Sequence, residues 1–164
     1  MNDQLLHAAE QLGETLSHAR YKLATAESCT AGLVSMSLGA AKDSTTFFTS
    51  GFITYTDSAK HRVLGVSEKT LQIHTAVSEA AVREMARGAL ERSGENVSLA
   101  VSGYAGPDGG EDGTPAGTIW FAWCLPGDLL VTSERLIKGS PEAVVNEAAL
   151  FALTNLDRLL KMRS

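Results

Sequence analysis

The octapeptide Thr25-Ala26-Glu27-Ser28-Cys29-Thr30-Ala31-Gly32 sets a hydroxyl and a thiol, two potential nucleophiles, in a run of small residues. Ahead of it, Tyr21 to Ala26 reads as a short strand. Behind it, Leu33, Val34, Met36 and Leu38 recur at roughly helical spacing. A strand that turns tightly into a helix exposes one side chain at the end of a sheet, and the first helical turn leaves N–H groups without partners. Ser28 or Cys29 there has the setting of a nucleophile with an oxyanion site beside it. The same residues allow a plainer reading, in which Ser28 or Thr30 caps the helix.

Two further segments carry side chains of chemical interest. Tyr55 follows a β-type run, and Lys60 comes five residues later near the start of a helix. A lysine serves as base to a serine only when burial or a nearby positive charge lowers its pKa; otherwise Lys60 is a solvated surface residue. The run Ser102-Gly103-Tyr104-Ala105-Gly106-Pro107-Asp108-Gly109-Gly110 is glycine-rich enough to bring backbone N–H groups against an anion. It has neither the Gly-Lys-Ser/Thr ending of a P-loop nor the spacing of a dinucleotide fingerprint, and an ordinary long turn is the alternative. His7, His18, His61 and His74 show no paired metal-site spacing, a Cys29–His61 thiol pair is conceivable, and Asp108, Glu111 and Asp112 read either as cation ligands or as solvated acids.

Positioning these segments requires an alternation of helices and strands. An amphipathic helix is predicted over residues 3–19, and a second strand lies within Phe47 to Tyr55. Short helices follow, capped by Thr56-Asp57-Ser58 and by Ser67, then a longer one from Ser78 to Gly94. Val97 to Ser102 is a strand, Gly117 to Leu125 and Leu129 to Ile137 form a hairpin about Pro126-Gly127-Asp128, and Ser140-Pro141 opens a last helix running to about Leu160. The order α-β-α-β-α-α-β-β-β-α predicts an α/β protein, a three-layer α/β/α sandwich with a mixed, mostly parallel sheet. Residues 1–164 read as one domain, without repeat or linker. The three segments of interest all follow strands, and in open α/β sheets ligands gather at the strands' carboxyl ends.

Bulk properties narrow the function. A net charge of −5 argues against general nucleic-acid binding, and no stretch approaches the roughly 20 apolar residues of a membrane span. Met1-Asn2-Asp3-Gln4 does not begin a secretory signal, and Cys29 and Cys124 form neither a disulfide framework nor a metal spacing, so a reduced, cytoplasmic setting is expected.

Taken together, the octapeptide, Gly51 to Tyr55 with Lys60, Ala76-Val77-Ser78, and Ser102 to Pro107 with Pro115-Ala116-Gly117-Thr118 resemble the CinA C-terminal family over nearly the whole chain. The resemblance implies an amidohydrolase of the nicotinamide mononucleotide deamidase type, with no metal or organic cofactor, acting on a small nucleotide as a homodimer. It implies Ser28 as nucleophile, Lys60 as its base and later proton donor, and Tyr55 orienting that pair. Thr30 and backbone groups after Ser28 would lie near the oxyanion, Gly32 would be among the substrate-binding residues, and Ser102, Gly103, Ala105 and Gly106 would shape the nucleotide pocket. Two departures stand out. The family has Thr-Gly-Gly where this chain has Thr30-Ala31-Gly32. Its active members also carry arginines in a pattern like Gly-Asp-Arg-x-x-Val-Arg, where this chain has Pro141 and Val145. Arginine suits a phosphate grip and these replacements do not. The alternative implied is a catalytically inactive or repurposed paralogue that binds a nucleotide or a protein.

Overall fold

The computed structural model describes residues 2–163. Its elements are α1 (Asp3–Ala19), β1 (Leu23–Glu27), α2 (Leu33–Ala40), a 3-10 turn (Ser44–Thr46), β2 (Phe48–Ile53), α3 (Asp57–Leu64), α4 (Glu68–His74), α5 (Glu79–Ser93), β3 (Val97–Gly103), β4 (Thr118–Leu125), β5 (Leu129–Leu136) and α6 (Pro141–Arg163). The order differs from the predicted string in having three helices, α3 to α5, rather than two between β2 and β3, and in the added 3-10 turn. Local chemistry explains the helix ends. Thr56, Ser67 and Ser78 each accept a backbone N–H at the start of α3, α4 and α5, and Gly65 and Gly94 end α3 and α5 in the left-handed conformation. The Ser140 hydroxyl accepts the N–H of Ala143 at the start of α6.

The sheet has five strands in the order β2-β1-β3-β4-β5. β1 pairs parallel with β2 and β3, whereas β3–β4 and β4–β5 are antiparallel. Only β4 therefore runs against the other strands, which makes the sheet mixed. Its two faces differ in side-chain size. Leu99, Val101, Phe121 and Trp123 fill one face beneath α1, α2 and α6, while Ala26, Ala100 and Ala122 line the other beneath α5. Helices on both faces complete the three layers.

Each layer has a specific lock. On the large-residue side, Trp123 donates its indole N–H to Ala152 O at 3.0 Å, and the Phe151 ring meets Phe121 edge-on at 4.9 Å. Leu153, Leu156 and Leu160 are buried in the same cluster, so the apolar stripe of α6 is spent on the core. On the small-residue side, Gly88 of α5 lies so close to the end of α3 that a Cβ there would sit 2.1 Å from Leu64 O. That contact fixes α3, the helix bearing Lys60, against α5, which itself packs on the sheet. No helix among the described residues is long and apolar enough to cross a membrane.

Candidate active site

The strand order puts the exits of β2, β1 and β3 side by side at one end of the sheet. The pairing continues one step past the strands: Thr54 N–H donates to Glu27 O, and Ser28 N–H donates to Val101 O at 3.0 Å. Ser28 therefore stands between Thr54-Tyr55 on one side and Ser102-Gly103 on the other. All three segments singled out by sequence border one cavity of about 660 Å³.

At its floor, Lys60 Nζ donates to Ser28 Oγ at 2.8 Å, to Thr54 O at 2.9 Å and to Tyr55 O at 3.3 Å. Lys60 is 1% exposed and Ser28 6%. Burial holds the ammonium below its ordinary value of 10.5, against an opposing pull from Asp57 one helical turn earlier. Lys60 is thus not the solvated surface lysine that its sequence alone allowed. Tyr55 meets it through the main-chain carbonyl, and the side chain, 65% exposed, stands at the cavity mouth.

The helix-cap alternative for Ser28 and Thr30 does not hold. The N-cap of α2 is Gly32, at φ +102°, with no side-chain cap of its own. Glu27, fully buried, supplies the cap from the end of β1: Oε1 accepts Val34 N–H and the Thr30 hydroxyl, and Oε2 accepts the N–H and hydroxyl of Ser35. The Ser35 Oγ also lies 2.7 Å from Thr25 Oγ1, and Gly51 leaves the room, since a Cβ there would lie 2.5 Å from that oxygen. The orphan donors of this helix are therefore used internally rather than pointed at a ligand. Thr30 and Gly32 lie outside the cavity lining, Thr30 bound to Glu27 and Gly32 against Ile53. The backbone donors beside the site belong to the turn itself, where the N–H groups of Cys29 and Thr30 act on the Cys29 thiol. Ala31 completes this turn at φ +47°, a left-handed conformation that suits glycine better.

Cys29 lines the cavity, but burial pushes its thiol up to about 12, so it is protonated at neutral pH. His61 faces elsewhere: its Nδ1 pairs with Val66 O and its Nε2 with Glu68. The conceivable Cys29–His61 pair is absent. Ser102, Gly103, Ala105 and Gly106 do line the cavity. Several N–H groups of the glycine loop, however, turn inward. Those of Tyr104, Gly110 and Gly117 donate to Thr118 O, Thr114 O and Tyr104 O, and that of Thr114 to the Asp112 carboxylate. These four N–H groups are therefore not free to cradle an anion. Pro141 packs behind the loop, its Cγ 3.9 Å from where a Gly106 Cβ would lie, and lines a separate cavity with Lys138. Among the described residues, no group of three or more His, Cys, Asp or Glu is arranged to hold a metal ion.

Sequence reading quoted Glu27 within the motif but assigned it no task. The signal was present: a carboxylate ends an otherwise neutral buried strand, and the following helix begins at a glycine with no capping side chain. Asp57, read only as part of a helix cap, and the segment Thr75 to Val77, noticed only through the family motif at Ala76-Val77-Ser78, also border the cavity.

Known proteins share this architecture. A family model described as the CinA C-terminal domain matches residues 6–160. Protein YdeJ of Escherichia coli strain K12 is 45% identical over 158 residues, covering 96% of this chain and 91% of its own. The nicotinamide-nucleotide amidohydrolase PncC of Enterobacter agglomerans is 41% identical over 154 residues, covering 93% of this chain and 94% of its own. The crystal structure of the competence damage-inducible protein A of Klebsiella pneumoniae has a TM-score of 0.95 at 42% identity, with 98% of this chain and 99% of that one covered.

Proposed function

The chain belongs to the CinA C-terminal domain family, and from that premise we propose that it hydrolyses the carboxamide of a nicotinamide nucleotide, with Ser28 as nucleophile and Lys60 as base. One observation carries this reading: Lys60 Nζ lies 2.8 Å from Ser28 Oγ inside a cavity whose burial lowers the lysine pKa. A neutral amine has two hydrogens and one lone pair. Its three neighbours here are the carbonyls of Thr54 and Tyr55, which take the hydrogens, and the Ser28 hydroxyl, which then donates to the lone pair. Tyr55 would thus orient the pair through its backbone.

In the first half-reaction Ser28 Oγ attacks the amide carbon as its proton passes to Lys60. The oxyanion forms beside the turn's N–H groups at Cys29 and Thr30. As the C–N bond breaks, Lys60 returns the proton to the leaving nitrogen, releasing ammonia. Water, deprotonated by the same amine, then cleaves the ester to nicotinate nucleotide and restores Ser28. No cofactor enters the scheme.

The test is ammonia release from nicotinamide mononucleotide. Wild-type protein releases it, and Ser28→Ala lowers the rate by about 1,000-fold or more; release unchanged by that substitution refutes the nucleophile. A second reading, a binding protein without turnover, is favoured by Pro141 and Val145 and by the scarcity of cations around the cavity. Turnover above about 1 per second eliminates it.

A further inference from the structure

Glu27 is tied to both halves of the Ser28 site, by its main chain on one side and its side chain on the other. Its carbonyl oxygen accepts the N–H of Thr54 at 2.9 Å, and the Thr54 carbonyl in turn accepts Lys60 Nζ. Its buried carboxylate accepts the Thr30 hydroxyl at 2.6 Å and the Val34 N–H at 2.9 Å on Oε1, while Ser35 of α2 holds Oε2. Thr30 is 3% exposed and outside the cavity lining, so its hydroxyl serves the chain rather than a ligand. The turn is closed by Ala31 N–H, which donates to Ser28 O at 3.0 Å, with Cys29 and Thr30 between them.

One closing bond holds the ends of such a turn but leaves the tilt of its central peptide adjustable, and turn types differ mainly in that tilt. The central peptide here joins Cys29 to Thr30, and its N–H is one of the two donors assigned to the oxyanion. A donor of that kind lowers a barrier only when it is aimed at the place where charge develops. The bond from the Thr30 hydroxyl to Glu27 is a second anchor on this peptide, and the first turn of α2 holds the carboxylate still. Resting on the amide-hydrolase reading above, we infer that Glu27 is a positioning residue of that reaction, aiming the turn's N–H at the oxyanion through the Thr30 hydroxyl. It touches no reacting atom and adds no step to the Ser28 cycle. Because Thr54 is held by the Glu27 main chain, a change of the Glu27 side chain spares the contacts of Lys60.

Steady-state ammonia release from nicotinamide mononucleotide is measured for wild type, Glu27→Gln, Thr30→Val and Thr30→Ser, each checked for folding by circular dichroism. Glu27→Gln keeps the size of the side chain but replaces one acceptor oxygen with an amino group. Thr30→Val keeps the shape and loses the hydroxyl. Both lower kcat by about tenfold or more and leave KM within about twofold, the mark of a contact made only in the transition state. Thr30→Ser, which keeps the hydroxyl, restores kcat to within about threefold of wild type. The acid limb of kcat/KM, which reports Lys60, keeps its midpoint in every variant. An unchanged kcat in folded Thr30→Val overturns this inference and leaves the hydrolase reading standing. So does a loss confined to KM, a displaced acid limb, or a Thr30→Ser variant as slow as Thr30→Val. If Glu27→Gln does not fold, the two Thr30 variants decide alone. If wild-type protein releases no ammonia, the hydrolase reading itself fails, and this inference with it.

Discussion

The turn after β1 and the loop after β3 leave neighbouring parallel strands at the same end of the sheet, yet they are built on opposite principles. In the Ser28 turn the polar groups are buried and answer one another: a single carboxyl group accepts from Thr30, Val34 and Ser35, and Lys60 closes onto Ser28 from the side. In the loop after Gly103 the backbone bonds to itself, and the acids Asp108, Glu111 and Asp112 stand exposed. Buried polar networks are rigid because each unmet group costs the fold, whereas exposed charges are screened and cost it little. The turn can thus hold reacting atoms in place, while the loop can only bias what approaches them.

The largest effect is expected where the contrast is sharpest. Lys60→Met keeps the length of the side chain but removes the base, and amide hydrolysis should fall by about 1,000-fold or more. The fold survives, because losing a buried ammonium offsets the lost hydrogen bonds; circular dichroism and the melting temperature check that. Full activity in this variant would remove Lys60 from the mechanism.

Next comes the cap. Glu27→Ala leaves the Thr30 hydroxyl and the N–H groups of Val34 and Ser35 without their acceptor, around a side chain that is fully buried. We expect a loss of about 3 kcal/mol or more in chemical denaturation. Glu111→Ala, in the exposed loop, stays within about 0.5 kcal/mol. Equal costs would erase the distinction between the two regions.

The pH dependence separates them as well. Lys60 must be neutral to accept the Ser28 proton, so kcat/KM rises with pH along an acid limb, about tenfold per unit, whose midpoint lies below the ordinary 10.5. Stability moves the same way. With the folded pKa below the unfolded one, the unfolded chain binds more protons between the two values, and stability rises with pH across that window. Asp112, in the exposed loop and held below 3.8, stays ionised near neutrality and adds no such slope there.

What was legible in the sequence follows the same division. Element order, helix caps and the meeting of three strand ends were readable, because caps, glycine stops and apolar periodicity act over a few residues. Ser28 with Lys60 needed the chain's order and a family resemblance together, since nothing local says that Lys60 is buried. The inward turn of the Tyr104 and Gly110 N–H groups was not readable: glycines report freedom, and only the partners at Thr118 and Thr114 decide how it is used. Nor was the capping by Glu27, where donor and acceptor lie seven and eight residues apart across a turn.

The smallest effect probes the backbone of the turn itself. Ala31 sits at φ +47° beside Gly32 at φ +102°, so two consecutive residues adopt left-handed geometry and only one is a glycine. A left-handed alanine costs about 1–2 kcal/mol, and a glycine gives back roughly 0.5–1 kcal/mol of that through the freer unfolded chain. Ala31→Gly should therefore stabilise the protein by about 0.5–1 kcal/mol, raising the melting temperature by roughly 1–3 °C. Gly32→Ala should act in the opposite direction, because its Cβ would come 3.0 Å from Ile53 Cδ1 on top of the strained φ. The pair of melting curves distinguishes two sources of rigidity in the turn. If Ala31→Gly stabilises, the Glu27 network holds the turn against its own backbone preference. If it does not, alanine rests there without strain, and the geometry around Ser28 is set by the chain rather than imposed by its partners.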